Sequence, residues 1–333
     1  MGEEVQSMEK IYLLPRDGSF YKANLHSHTT ISDGRLTPKE VKEAYKSRGY
    51  QILAVTDHRI YRNHQDLDDE TFITIPAVEV DINEVSSERL APGDRTYHLN
   101  LFDTRPDYKR EEKEKGICPE RRYRDFDYMN RYFREMAELG FLVCYNHPYW
   151  SLQNYDDYRG LEGIFAMEIY NHGCEHDGLY GYCPQVYDEM LRQGKRLRCL
   201  ATDDNHNCFE LDDVFSDSFG GFTMVKAQEL SHGAVAEALK KGWFYSSTGP
   251  RIKELYLEGD ELVVKTSPVQ KIYVITDSSR CYRRAAKTGE SLCGARFKLD
   301  GSEGYIRVTV RDEKGCHADS NAYFPEDLGI QLS

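Results

Sequence analysis

Ile52-Leu53-Ala54-Val55-Thr56-Asp57-His58 is an unbroken apolar run that stops on polar residues, and its reading decides the fold class. A half-buried strand alternates apolar with polar side chains, whereas an uninterrupted short run marks a strand buried on both faces, as in a parallel sheet. Just upstream, Thr37-Pro38-Lys39-Glu40 has the capping-box form with proline at the first helical position, and Val41, Ala44 and Tyr45 keep helical spacing until Gly49. Before that, Tyr21-Lys22-Ala23-Asn24-Leu25-His26 reads as a short strand entering a polar loop. Strand, helix and buried strand in that order are the repeating unit of an α/β fold.

The pattern recurs. Apolar runs follow at Phe72–Val80, His98–Phe102, Phe141–Asn146, Ile164–Tyr170 and Arg198–Asp203, and helices are expected over Asp127–Leu139, Gln185–Gln193 and Ser231–Lys241. The alternation predicts a parallel sheet, with strands enough over 20–249 to close as a barrel. Residues 83–123 carry mixed charge, including Lys109-Arg110-Glu111-Glu112-Lys113-Glu114-Lys115, and are expected to contain a solvated insertion. Residues 1–19 read as an N-terminal extension. Beyond Gly249-Pro250 the texture changes to short alternating strands at Leu255–Leu257, Glu261–Lys265, Lys271–Thr276, Arg296–Leu299 and Tyr305–Arg311, which predicts a small antiparallel β-sandwich over 250–333.

Composition narrows the function. Among 333 residues, 40% are hydrophobic, which permits a sizeable core, and no run approaches the roughly 18 apolar residues of a membrane helix. A balance of 43 basic against 56 acidic residues, net −13, disfavours adhesion to anionic lipid or to a nucleic-acid duplex. The nine cysteines are odd in number and contain no Cys-x-x-Cys, so neither a disulfide framework nor a thiolate zinc site is indicated. With the charged start Met1-Gly2-Glu3-Glu4, this places the expected location in the cytoplasm.

Chemistry gathers at the strand ends. His26-Ser27-His28 sets two imidazoles on one side of an extended chain, where both reach one cation. Alone the spacing is weak, since about 0.4 such pairs arise by chance in a chain of this composition. The recurrence is what carries weight. Asp33 follows the first strand, Thr56-Asp57-His58 ends the second, and Glu79 sits in an otherwise apolar run. His98 opens the next strand, Asn146-His147-Pro148 ends another, and Asp203-Asp204-Asn205-His206 follows the last. Imidazole and carboxylate without thiolate suit zinc, manganese or iron. Nine ligands exceed the needs of one ion, and a carboxylate such as Glu79 can bridge two ions about 3.5–4 Å apart, an arrangement suited to hydrolysis by a metal-activated hydroxide.

In this order, His-x-His, Ser-Asp-Gly, Thr-Asp-His, a strand Glu, a later His, Asn-His-Pro and a final Asp-x-His resemble the polymerase and histidinol phosphatase (PHP) family of metal-dependent phosphoesterases, over residues 20 to 249. The resemblance implies a distorted (β/α)7 barrel and three ion sites: His26, His28, Glu79 and Asp204; Glu79, His98 and His147; and Asp33, His58 and His206. Family members often carry His where Asp33 stands. Asp204 rather than Asp203 gives the family's Asp-x-His spacing, and neighbouring side chains on a strand face opposite ways. A branch with a C-terminal β-sandwich resembles the chain further, through Ser247-Thr248-Gly249-Pro250, Tyr305-Ile306-Arg307-Val308 and Gly315.

Outside the ligands, Arg59 after the second strand is a candidate phosphate clamp. His172 and His176 after the sixth strand are candidate substrate contacts or proton donors. Asn171 is a candidate ligand-orienting residue, and Tyr149 beside His147 a candidate ring contact to substrate. The expected function is hydrolysis of a small anionic phosphoester, a nucleotide or sugar phosphate, with two or three divalent ions as cofactors. The alternatives are a carbamate, ester or amide at the same ions, or a noncatalytic metal-binding scaffold.

Overall fold

The computed structural model describes residues 10–85, 91, 93–105 and 117–328. The chain divides into two compact units, Ser19–Ser246 and a second made of the segment up to Gly18 with the chain from Ser247 onward. A first strand, β1 (Lys10–Tyr12), pairs antiparallel with a strand of the second unit. The expected N-terminal extension is therefore, from residue 10, part of a sheet.

In the Ser19–Ser246 unit, β2 (Ser19–Asn24), α1 (Pro38–Ser47), β3 (Ile52–Val55) and β4 (Ile73–Asn83) form the predicted opening. There follow β5 (Thr96–Asp103), α2 (Phe126–Glu138), β6 (Phe141–Tyr145), α3 (Tyr155–Tyr158) and β7 (Ala166–Asn171). The unit is completed by α4 (His172–His176), α5 (Pro184–Arg192), β8 (Arg198–Thr202), β9 (Phe222–Ala227), α6 (His232–Lys241) and β10 (Phe244–Ser247). The strands are hydrogen-bonded in the order β10-β9-β2-β3-β4-β5-β6-β7-β8.

The result is a mixed α/β unit built on one large sheet, not the all-parallel sheet expected. β3 is parallel to both β2 and β4, as its apolar run required, and β6, β7 and β8 are parallel to one another. β5 is antiparallel to both β4 and β6, and β9 is antiparallel to β2. Glu84 N–H donates to the Arg95 carbonyl at 2.8 Å, so β5 sets off beside the end of β4 and runs back along it. β5 is buried along its whole length between β4 and β6, so Thr96–Asp103 of the 83–123 segment belongs to the sheet. The charged run Lys109–Lys115 lies outside the described residues.

Among the described residues no strand ladder closes the sheet. Among the described residues, β8 has one strand partner, β7, and hydroxyls serve its other edge. The Thr223 hydroxyl accepts from Ala201 N–H at 3.2 Å and donates to the Ala201 carbonyl at 3.0 Å, while Ser246 donates to the Cys199 carbonyl at 2.7 Å. Side chains thus satisfy main-chain groups that a ladder would otherwise pair.

One buried apolar cluster gathers Ala23, Ile52, Ala54, Ala77, Ala166 and Leu200 from successive strands, and Val235 and Leu239 of α6 join it. α1 begins at Thr37, whose side chain caps Glu40 N–H while the Glu40 carboxylate accepts from Thr37 N–H at 2.8 Å. The helix buries Val41 and Tyr45, and the Tyr45 hydroxyl donates to the carboxylate of Asp203, a distant residue just beyond β8, at 2.7 Å.

The second unit is antiparallel throughout. β1 pairs with β11 (Ile252–Glu258), then β12 (Glu261–Val269) and β15 (Leu292–Lys298). A separate group runs β14 (Cys281–Ala285), β13 (Lys271–Thr276), β16 (Ile306–Arg311) and β17 (His317–Ser320). β14 is mostly exposed and charged, which is why no apolar alternation announced it.

Replacing Thr37 by Ala removes the cap of α1 and should lower the stability of the Ser19–Ser246 unit by about 1 kcal/mol. The urea midpoint reads the change, and an unchanged midpoint would show that the cap carries no weight.

Candidate metal centre

The nine ligand-type residues meet at one end of the sheet. His26-Ser27-His28 continues β2 as extended chain. The Ser27 hydroxyl turns away to the Ala54 carbonyl at 2.9 Å, so both imidazoles face the other side. Asp204 N–H donates to the His26 carbonyl at 2.9 Å and His28 N–H to the Asn205 carbonyl at 3.0 Å, which joins the loop after β8 to the loop after β2.

Glu79, fully buried in the middle of β4, is the point of convergence. Its Oε1 lies 3.0 Å from His98 Nδ1, 3.3 Å from His26 Nε2 and 3.5 Å from His147 Nε2. Its Oε2 lies 2.9 Å from His58 Nδ1 and 3.4 Å from His28 Nε2. Asp204 Oδ1 is 3.0 Å from His26 Nε2 and 3.1 Å from His28 Nε2, and Asp204 Oδ2 is 3.7 Å from His147 Nε2. Asp33 completes the outer side, 3.5 Å from both His58 Nε2 and His206 Nε2 and 3.7 Å from His28 Nδ1.

Ligand atoms within 4.8 Å of one another form four groups: His28, Asp33, His58 and His206; His26, His28 and Glu79; His26, His147 and Asp204; and His58, Glu79 and His98. All nine sequence-predicted positions take part. The grouping differs in detail from the three implied sets, since His28 also faces the outer set and His147 stands between Glu79 and Asp204.

The electrostatics follow from burial and crowding. Burial alone would raise the Glu79 carboxyl, but His98, His26 and His58 hold it well below the usual carboxylate range. Asp204 is held low in the same way by His26, His28 and His147. Burial lowers His58, but Glu79, then Asp33 and Asp204, push it up to about 9. Burial and the imidazoles of His206 and His58 bring His28 down to about 4.

The donor set fits divalent cations. It holds imidazole and carboxylate without thiolate, and one of its buried atoms, His28 Nδ1, has no hydrogen-bond partner. His206 Nδ1 is 3.0 Å from the Asp204 carbonyl, which can only accept, so the ring is protonated there and Nε2 faces Asp33. The backbone is strained where ligands turn inward: φ is +23° at His147 and +56° at Asp204.

Asp203 does not join the site. Its carboxylate accepts from Tyr45 Oη, from Phe219 N–H at 2.7 Å and from Gly221 N–H at 2.7 Å, and burial pushes it up to about 7. Of the adjacent pair, Asp204 alone faces the imidazoles.

The candidates outside the ligand set sit among protein partners. The Arg59 guanidinium binds Asp81 Oδ1 at 2.9 Å and the Pro119 carbonyl at 3.2 Å, and Arg121 reaches the same carboxylate at 2.7 Å. Asp81 lies two residues beyond Glu79 on β4, a face-sharing position that the local reading of Arg59 overlooked. Asn171 is fully buried and orients protein groups, donating to Asp204 Oδ2 at 3.1 Å and Glu168 Oε2 at 2.9 Å while capping α4. Burial, then His176, lowers His172 to about 4. Its Nδ1 lies 2.9 Å from the Tyr170 hydroxyl. Tyr149 is exposed and stacks edgewise on Tyr180, with centroids 4.9 Å apart, whereas Trp150 is the ring beside the ligands, 5.1 Å from His147 and 5.5 Å from His98.

Sequence reasoning missed two buried acids. Asp57 accepts from Thr29 N–H at 2.8 Å, the Thr29 hydroxyl at 2.7 Å and the Ser32 hydroxyl at 2.7 Å, which shapes the loop that carries Asp33. Glu168 lies 2.6 Å from His26 Nδ1. Its signal was the same as that of Glu79, a lone acid in an apolar run.

No family model matches the chain. Sixty residues, 18% of the chain, are 40% identical to the DNA polymerase/3'-5' exonuclease PolX of Bacillus subtilis, and the match spans about a tenth of that protein's length. Among solved structures, the chain is similar to a two-domain protein from Bacteroides vulgatus described as containing a predicted PHP-like metal-dependent phosphoesterase. That match has a TM-score of 0.43 and 18% identity, over 93% of this chain and 98% of that one. It is also similar to an amidohydrolase from Chromobacterium violaceum with bound sulfate and no metal, with a TM-score of 0.35 and 16% identity over 55% of this chain and 87% of that one.

A histidine must be neutral to bind a cation, so below about pH 9 a proton on His58 competes with the ion. Metal binding at pH 7 should release protons and tighten as pH rises toward 9. Titration calorimetry in buffers of different ionisation enthalpy measures the release, and binding that is independent of pH and buffer would contradict this reading of His58. In the metal-free protein the sign is opposite for folding: the stability contributed by charged His58 is full below its unfolded value of about 6.5 and is lost as pH rises through about 9.

Proposed function

We propose that the chain is a divalent-metal-dependent hydrolase that cleaves a small phosphoester, a nucleotide or sugar phosphate. The observation that carries the reading is the convergence of nine ligand-type side chains at one end of the sheet. In the proposed centre His26, His28, Glu79 and Asp204 hold one ion, Glu79, His98 and His147 a second, and Asp33, His58 and His206 a third. Bound there, zinc, manganese or iron supplies Lewis acidity, which acidifies a water and polarises a phosphoryl oxygen.

The residues set the charge of the site. Against four carboxylates, Glu79, Asp204, Asp33 and the buried Glu168 behind His26, three divalent ions leave a net positive charge, inside a protein of net charge −13. Such a local field selects an anionic group, which favours a phosphoester over an uncharged amide or ester. Because Asp81 holds Arg59, charge on the phosphate falls to the ions. Tyr149, exposed and two residues after His147 in the chain, remains the proposed substrate contact. We read the open sheet as a distorted form of the (β/α)7 barrel, and the cysteine usage as that of the cytoplasm.

The test is metal analysis joined to a phosphate-release screen over nucleotides and sugar phosphates with added manganese. Two or more equivalents of metal with phosphate release are expected. Glu79→Ala and His147→Ala should each lower metal content and reduce turnover by 100-fold or more, to an order of magnitude. Metal without phosphate release would move the assignment to carbonyl substrates, and activity that survives in both variants would end it.

A further inference from the structure

We infer that Glu168 is a positioning residue of the metal centre: it holds His26 with Nδ1 protonated and Nε2 bare, and it seats His147 and Asp204. The inference rests on the metal-dependent reading above. Glu168 stands in the middle of β7 in Ala166-Met167-Glu168-Ile169-Tyr170, and it is 1% exposed.

Four partners fill its oxygens. Oε1 accepts from the Thr202 hydroxyl at 2.7 Å and lies 2.6 Å from His26 Nδ1. Oε2 accepts from His147 N–H at 3.1 Å and from Asn171 Nδ2 at 2.9 Å. A carboxylate can only accept, so the ring nitrogen facing it must be the donor. That leaves Nε2 of His26, 3.0 Å from Asp204 Oδ1 and 3.3 Å from Glu79 Oε1, as the atom offered to a cation. The opposite tautomer would put an N–H at the ligand position.

The same carboxylate acts on two more ligands. Its bond to His147 N–H holds the backbone at φ +23°, the strained turn that aims the ring at Glu79 and Asp204. Through Asn171, whose Nδ2 also donates to Asp204 Oδ2 at 3.1 Å, it fixes that carboxylate. Ligands that follow β2, β6 and β8 are therefore tied to one buried acid. None of these four bonds goes to Asp33, His58 or His206, so the outer set does not depend on it directly.

The experiment compares wild type with Glu168→Gln, a substitution that keeps the shape but puts an amide donor among donors. Stripped proteins are titrated with Zn²⁺ against a chromophoric chelator, and ¹⁵N-histidine spectra are recorded on the zinc-loaded forms. Expected are a 10- to 100-fold loss of affinity for the tightest equivalents, and a low-field Nδ1 proton of His26, assigned by its absence in His26→Gln, that is present in wild type and lost or shifted in Glu168→Gln. Zinc affinity of Glu168→Gln within twofold of wild type would overturn the inference, as would a wild-type His26 bound through Nδ1. If Glu168→Gln does not fold, the tautomer of His26 in wild type decides alone. Failure of wild type to bind zinc would overturn the metal reading itself, and is thereby distinguished from failure of the inference.

Discussion

Everything at the candidate centre depends on burying one carboxylate, Glu79, among five imidazoles at 2.9 to 3.5 Å. An unpaired buried charge costs several kcal/mol, so Glu79 is tolerable only if positive charge stands around it. Protonated imidazoles meet that need in the metal-free protein, and divalent ions would meet it in the proposed enzyme. The imidazoles come from the ends of β2, β3 and β6 and the start of β5, while Glu79 itself is on β4. The sheet must be assembled before the charge is compensated, so the site and the fold form together.

The open edge of the sheet serves the same end. β8 delivers Asp204 and His206, yet its far side is satisfied by the hydroxyls of Thr223 and Ser246 in place of a strand ladder. Gly221 passes so close to Thr202 that an added Cβ would lie 2.2 Å from its carbonyl oxygen. That approach lets Gly221 N–H reach Asp203, whose carboxylate also holds Tyr45 of α1. The loop after β8 is thereby anchored by Asp203 while its neighbour Asp204, at positive φ, turns to the imidazoles. Of two adjacent acids, one holds the architecture and the other faces the centre.

Much of this was legible in residue order. Apolar runs located β3, β4, β6, β7 and β8, a capping box located α1, helical spacing located α2 and α6, and the polar residues that end the runs proved to be neighbours in space. His98 carried a further signal, since it opens its strand where the other imidazoles follow theirs. A residue at the start of a strand reaches the same end of the sheet only if that strand runs backwards, which is how β5 runs. The partner of Arg59, Asp81, lies on another strand beyond a local reading, and Glu168 was passed over because its four partners lie on β7 itself, at the end of β8 and on the loops after β2 and β6.

The sequence by itself determined the ligand types, their spacing and the periodicity of most strands, because those are local properties of neighbouring residues and of the chemistry each side chain carries. Only the tertiary structure decided the direction of β5, the open edge at β8, the choice of Asp204 over Asp203 and the engagement of Arg59 by Asp81. Each of those depends on which groups meet across gaps of up to about 180 residues, as Asn24 and Asn205 do. Such pairings are set by burial and hydrogen-bond satisfaction over the whole sheet, and no local pattern encodes them.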